Sequence, residues 1–196
     1  LWQQTIIAKI QNQRALLNNW NVETAYLDNL IRTVRSGDTD NNEAKAAVYY
    51  WQRLFPPSWN FFRKREGAPP NNLLNYGYAI IRASMARSLV GSGLLPTFGI
   101  FHRNRYNAYC LADDIMEPYR PYIDSIVREI IHSTSHIKEL NTELKVKLLN
   151  SLSMDVIIDN KKSPLLVAMQ RTTASLASCY LGEQRKLLYP TLLYNE

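Results

Sequence analysis

Apolar residues recur at steps of three and four along most of the chain, the spacing of one buried helix face. The pattern predicts helices over residues 2–17, 22–35, 41–55, 70–90, 108–131, 140–150 and 165–188. Turn-forming clusters separate them: Asn18-Asn19, Ser36-Gly37-Asp38, Pro56-Pro57, Pro69-Pro70, Gly91-Ser92-Gly93 and Lys161-Lys162-Ser163-Pro164. In the first helix Ile6, Ile10 and Leu17 fall on one side. The run LLNYGYAIIRASMARSLV, residues 73–90, is apolar on nearly every side, with Leu74, Tyr78, Ile81 and Met85 in one stripe. Such a helix belongs at the centre of its domain. The expectation is an all-α fold, one helical domain over residues 1–196, without internal repeats. Short β pieces around Ile100 or at Met154-Asp155-Val156-Ile157 would leave that class unchanged.

Composition agrees. Of the 196 residues 46% are hydrophobic and 20% charged, as in a soluble globular protein. No apolar run approaches the ~18 residues that cross a bilayer, so no membrane association is expected. A helix that opens at Leu1 with neither initiator nor cap predicts a fragment of a longer chain. Cys110 and Cys179 have no CxxC spacing and read as reduced thiols, which points to the cytoplasm. The formal charge of +6 permits a polyanionic partner without requiring one. Its distribution says more: FFRKREGAPPNN, residues 61–72, gathers Arg63, Lys64 and Arg65 beside Phe61 and Phe62 in a segment too rich in Pro and Gly to be regular. Such a loop either tracks a phosphate backbone or is a solvated linker.

The candidate chemistry lies in GIFHRNRYNAYCLADDIMEPYRP, residues 99–121. Asp114 and Glu117, three apart, stand about 60° around a helix axis from each other and can share a ligand on one face. Asp113 is turned about 100° from Asp114 and suits the helix start, where negative charge complements the dipole. Pro118 and Pro121 follow at once and predict a kink just beyond the acidic pair. Two accounts stand: a divalent-metal site with His102, or an ordinary acidic first turn beside a lone histidine. Glu43 adds a third element. It follows a Ser/Gly/Asp/Asn-rich helix entry in SGDTDNNEAKAAVYYW, residues 36–51, and a carboxylate there can meet the later cluster across a cleft, although spacing alone leaves the meeting open.

The strings EAKAAVYYWQRLF, PPNNLLNYGYAIIRASMARSLVGSGLLP and GIFHRNRYNAYCLADDIMEPYRP, in that order, resemble the catalytic domain of the CRISPR adaptation integrase, the CRISPR-associated family that inserts new spacers. Their wording is most like members that accompany type II systems. The resemblance runs from the first helix to at least residue 131. It implies a helical catalytic domain whose β-rich N-terminal companion is absent from this chain. It also implies a metal site of Glu43, His102 and Glu117, with Asp114 either a further ligand or a supporting group, holding Mg²⁺ or Mn²⁺. The implied reaction is transesterification, a 3′ hydroxyl of an incoming DNA fragment attacking a phosphodiester at the edge of a CRISPR repeat, with metal-dependent cleavage as a side reaction. The implied partners are DNA, a second copy in a homodimer, the small CRISPR adaptation partner protein and, for type II-like members, other adaptation proteins. No GxxxxGK phosphate loop is present, and an exchange of one phosphodiester for another needs no nucleotide.

Arg103 and Arg105 flank the histidine and read either as phosphate clamps or as partners of Asp113. Arg120 is expected to brace its own carboxylates, and Tyr76 and Tyr78 to be core residues with bonded hydroxyls. His132 and His136 are four apart but lack the glutamate of HExxH, so they are left outside the site. Competing with the enzyme are a non-catalytic helical DNA-binding module, which would bind DNA with or without a divalent ion, and a purely structural α domain.

Overall fold

The computed structural model describes residues 1–134, 137 and 139–192. Its helices are α1 (Trp2–Asn18), α2 (Ala25–Thr33), α3 (Asn42–Leu54), α4 (Asn71–Gly91), α5 (Cys110–Ile115), α6 (Arg120–Ser133), α7 (Thr142–Leu149) and α8 (Leu165–Tyr180). A small hairpin, β1 (Asp155–Ile158) and β2 (Lys161–Pro164), pairs antiparallel with Ile158 opposite Lys161. Asp159 and Asn160 both take positive φ at its tip, as a tight two-residue turn requires. No helix among the described residues is long and apolar enough to cross a membrane.

Helix α4 packs on α5, α6, α7 and α8, as its apolar stripe predicts, and Leu74, Tyr78, Ile81 and Met85 are all buried. It is not covered all round: Ala79, Ala83 and Val90 stay exposed on the other side. Gly77 marks its closest approach to α6, because a Cβ there would stand 2.3 Å from Ile123 Cγ2.

Several predicted helices are divided or shortened; the 22–35 segment, for one, is helical only over Ala25–Thr33. The 108–131 segment breaks as the prolines predict, but within the acidic pair rather than just beyond it: α5 stops at Ile115, a 3-10 turn covers Glu117–Tyr119, and α6 starts at Arg120. Pro118 lies in that turn and Pro121 in the first turn of α6, where a missing N–H costs nothing. The 165–188 segment ends at Tyr180 because Gly182, at φ +76°, turns the chain left-handed. Gly182 N–H then donates to Cys179 O and Glu183 N–H to Ser178 O, the pairing that closes a helix C-terminus. Beyond it the chain crosses α1, where Asn12 Nδ2 donates to Pro118 O and Pro190 O, at 2.8 and 3.0 Å, and Asn12 Oδ1 accepts from Leu192 N–H. Helix α1 therefore buries polar positions beside its apolar face. It touches α2, α3, α6 and the Glu117–Tyr119 turn, and so brings the two acidic regions of the sequence together.

Candidate active site

Glu43 stands in the first turn of α3, where Asp38 accepts from the N–H groups of both Asn42 and Glu43 at 2.9 Å and fixes the helix start. Opposite it, the 3-10 turn presents Glu117. Between the two comes Lys9 from the middle of α1, with Nζ 2.7 Å from Glu43 Oε1 and 2.6 Å from Glu117 Oε2. The second contact is ionic, without the alignment of a hydrogen bond. Arg120 Nη2 lies 2.9 Å from Glu117 Oε1, the bracing expected of it. Burial pushes the Glu117 carboxyl up, but Arg120 and Lys9 outweigh burial and hold it below the usual range. Burial likewise lowers the Lys9 ammonium, and Glu117 and Glu43 together raise it above its ordinary value. Glu117 and Lys9 thus each stabilise the charged form of the other.

His102 belongs to the irregular segment 92–109, and its side chain is 52% exposed. Its Nδ1 is 2.5 Å from Asp114 Oδ1, and a carboxylate can only accept, so Nδ1 is the donor in this contact and Nε2 is not engaged by Asp114. Asp114 is wholly buried and also accepts from Phe101 N–H at 2.8 Å and His102 N–H at 3.3 Å. Gly99 permits this turn, since a Cβ there would stand 2.3 Å from His102 O and 2.8 Å from Asp114 Oδ2. Phe101 stacks on Trp2 at 4.5 Å, anchoring the loop to α1.

The shared helical face expected of Asp114 and Glu117 does not form, because α5 ends between them; Asp114 serves His102, and Glu117 serves Lys9 and Arg120. Asp113, expected at the helix start, does lie in the first turn of α5, where Arg82 grips it through two bonds of 2.7 Å and Asn107 through a third. That leaves Asp113 to Arg82 rather than to Arg103 or Arg105.

His102 and Glu117 line one cavity of about 580 Å³ with Arg63, Arg65, Arg82 and Arg120. Arg63 is aimed by Asn71 Oδ1 at 3.0 Å and Asn75 Oδ1 at 2.7 Å. Arg103 and Arg105 line a neighbouring cavity of about 460 Å³ that shares His102, while Arg105 also stacks on Tyr106. Lys64 is exposed and contributes to neither wall. Beneath the first cavity Tyr78 and Tyr50 donate their hydroxyls to Asp124, the buried bonding expected of Tyr78. His132 lies against Trp20, apart from the site, and His136 falls outside the described residues.

Among the described residues no three acidic, histidine or cysteine side chains converge closely enough to hold a metal as they stand. The space between Glu43 and Glu117 is taken by the Lys9 ammonium. Sequence reasoning passed over Lys9 and Arg82. The signal for Lys9 was a charged residue set between Thr5, Asn12 and Gln13 and beside Ile6 and Ile10, a position a helix buries only for a reason.

With this geometry in place, a sequence model of the family described as CRISPR associated protein Cas1 matches residues 1–158, a stretch that contains Lys9, Glu43, His102, Asp114 and Glu117. The chain belongs to the Cas1 family. The CRISPR-associated endonuclease Cas1 of Neisseria meningitidis serogroup C (strain 8013) is 35% identical over 190 residues, covering 96% of this chain and 62% of that protein. Among solved structures, a casposase bound to its integration product superposes with a TM-score of 0.80 at 22% identity, over 95% of this chain and 61% of the casposase. A chain of a partial Cas6-RT-Cas1–Cas2 complex gives 0.73 at 24%, over 93% of this chain and 65% of its own length. These likenesses establish the fold. This Cas1-family chain spans under two thirds of the length of each.

Proposed function

We propose that the chain carries the metal-dependent integrase and endonuclease chemistry of CRISPR spacer acquisition, with Glu43, Glu117 and His102 Nε2 as the ligands of Mg²⁺ or Mn²⁺. The observation that carries this reading is a cation already lodged between Glu43 and Glu117 at the edge of an arginine-lined cavity that His102 shares. Two carboxylates and one imidazole form a mostly hard donor set, suited to those ions rather than to structural zinc. Of the two roles open to Asp114, the three contacts it makes favour support of His102 over direct ligation.

When bound, the divalent ion supplies polarisation of the phosphate and stabilisation of its developing charge. The protein supplies the rest. Asp114 keeps the proton on Nδ1 of His102 and so keeps Nε2 free toward the cavity. Arg120 steadies Glu117 from the side away from Lys9. Arg63, Arg65 and Arg82 face the space a DNA backbone would enter, and Arg103 and Arg105 extend that surface around the histidine. The 3′ oxygen of the incoming strand forms a bond to phosphorus as the bond to the repeat's own 3′ oxygen breaks. One proton leaves the attacking hydroxyl and one is gained by the departing oxygen, so the exchange is balanced and nearly isoenergetic. Water in place of the hydroxyl gives strand cleavage.

A homodimer and the small adaptation partner belong to this reading, supported by a fold neighbour that sits in a Cas1–Cas2 assembly. So do type II-like membership and a helical catalytic domain coextensive with residues 1–196. The test is a branched DNA mimicking a half-integrated spacer, incubated with Mn²⁺ or Mg²⁺ and the polypeptide that contains this chain. Resolution of the branch into a rejoined strand and a freed 3′ end, abolished by His102→Ala, is the expected result. DNA binding that ignores both the ion and the substitution, with no resolution, would favour the non-catalytic module.

A further inference from the structure

Glu43 and Glu117 come from elements far apart in sequence, and what joins them is one side chain of α1. Lys9 Nζ lies within 2.7 Å of an oxygen of each, and its side chain is only 11% exposed. Arg120 takes the other oxygen of Glu117. The group of four is therefore neutral: two anions, two cations. Adding a divalent ion without losing a cation would leave surplus positive charge in a buried site, an arrangement that desolvation strongly opposes. Both cations would also address the same two carboxylate oxygens. A divalent ion of this class takes carboxylate oxygens at about 2.1 Å, and the gap between the two oxygens is no wider than their combined distances to Nζ. The ion and the ammonium claim the same place. Of the two cations, Arg120 is a rigid fork stacked over Tyr78, with its guanidinium carbon 4.8 Å from the ring centroid, whereas Lys9 is a point charge on a flexible four-carbon stem.

We infer that Lys9 is the resident counter-ion of this site: it holds Glu43 and Glu117 in position while no divalent ion is bound, and it leaves when one enters. This inference rests on the reading of Glu43 and Glu117 as metal ligands. It makes Lys9 a positioning residue. Metal binding becomes an exchange of cations, in which the measured affinity includes the work of expelling the ammonium, and the Nζ of Lys9 changes from shielded to reactive as the site fills.

The test follows Mn²⁺ binding by electron paramagnetic resonance of the free ion, for the metal-free chain and for Lys9→Met and Lys9→Arg. Lys9→Met keeps the length and the apolar stem but removes the competing charge, so it should bind Mn²⁺ at least tenfold more tightly than the wild type. Lys9→Arg should bind no more tightly than the wild type. Without metal, Lys9→Met should melt below the wild type, and saturating Mn²⁺ should raise its Tm by more. If Lys9→Met does not fold without metal, the wild type carries the test through amine acetylation read by mass spectrometry. Lys9 should be protected in the metal-free protein and modified several-fold faster with Mn²⁺, while exposed lysines such as Lys64 and Lys161 keep their rates. Equal Mn²⁺ affinity in wild type and Lys9→Met, or Lys9 acetylation indifferent to saturating Mn²⁺, overturns the inference. No Mn²⁺ binding at millimolar concentration by folded wild type and folded Lys9→Met overturns the metal reading beneath it.

Discussion

The two halves of the candidate site are built in opposite ways. Glu43 and Glu117 are held by helix ends and by Lys9 and Arg120, and Glu117 is 8% exposed; His102 rides on an irregular segment, 52% exposed, and is held chiefly by Asp114. The carboxylate half is charge-balanced: Lys9 joins the two carboxylates, and Arg120 holds Glu117 independently. The histidine half depends on one buried carboxylate that accepts from the ring and from two backbone N–H groups. Rigidity on one side and dependence on a single group on the other mean that equally sized substitutions should have unequal consequences.

The largest effect is expected at Asp114. Asp114→Ala removes the ring's partner and the acceptor of the Phe101 and His102 N–H groups at once, which should cost about 3 kcal/mol of stability. The damage should be concentrated in the His102 segment. Urea denaturation gives the total, and amide exchange over residues 99–103 locates it; unchanged exchange there would mean that Asp114 is not what holds the loop. Asp114→Asn should fold better yet still impair strand transfer, because an amide no longer dictates which ring nitrogen carries the proton.

Two glycines sharpen the contrast at a smaller cost. A Cβ at either Gly77 or Gly99 would meet an atom at 2.3 Å, but the atom at Gly77 is a branched core methyl and the one at Gly99 is the His102 carbonyl oxygen. Overpacking of this kind costs roughly 1–3 kcal/mol. Gly77→Ala regains about 1 kcal/mol through helix propensity, so its net loss should be the smaller. Gly77→Ala should lower Tm while the proposed metal-dependent activity per folded molecule survives. Gly99→Ala should lower that activity even at temperatures where the chain is folded. The opposite ranking would show that the His102 turn tolerates displacement.

Asp124 yields a pH dependence whose sign is unusual for an aspartate. Burial raises its carboxyl to about 6, against the opposing pull of the Tyr78 and Tyr50 hydroxyls. Unfolded, an aspartate titrates near 3.9, so between about pH 4 and 6 the folded chain keeps a proton that the unfolded chain has released. Stability should therefore fall across that interval as pH rises, by on the order of 3 kcal/mol from this group. Glu117, held below its usual range, acts in the other direction at lower pH. It is common to wild type and Asp124→Asn, so their difference isolates Asp124. Urea midpoints at pH 4, 5, 6 and 7 should converge or cross with pH; parallel curves would mean Asp124 is ionised throughout.

Much of this was legible in the sequence, and the rest had specific physical reasons for being hidden. Helical spacing located α1, α3 and α4 to within a residue or two because each buries residues at steps of three and four. The prolines foretold a break near the acidic pair, but not that it would fall between Asp114 and Glu117 or that a 3-10 turn would send Glu117 toward α1. The end of α8 was written in Gly182, a residue whose left-handed conformation outweighs the apolar periodicity that continues past it. Glu43, His102 and Glu117 stood out as residue types, whereas Lys9, Arg82 and the service of Asp114 to His102 did not. Those roles are set by contacts more than ten residues apart, as in the 31-residue separation of Arg82 and Asp113. Periodicity carries no record of such pairings.

The smallest effect concerns the basic loop, where the sequence offered Arg63, Lys64 and Arg65 as equals. The fold does not treat them so. Arg63 and Arg65 line the cavity of His102 and Glu117, and Lys64 does not. Arg63 is also bonded to Asn71 and Asn75, so its removal would disturb the loop as well as any DNA contact. Arg65 is the cleaner probe. If DNA enters past His102, Arg65→Ala should weaken binding a few-fold and reduce the slope of log affinity against log salt by about 1. Lys64→Ala should change the slope by much less, since a charge outside the path releases few counterions. Equal slopes for the two variants would mean that DNA meets the loop as a diffuse positive surface, and the arginine-lined cavity would then lose its claim to be the entrance to the carboxylates.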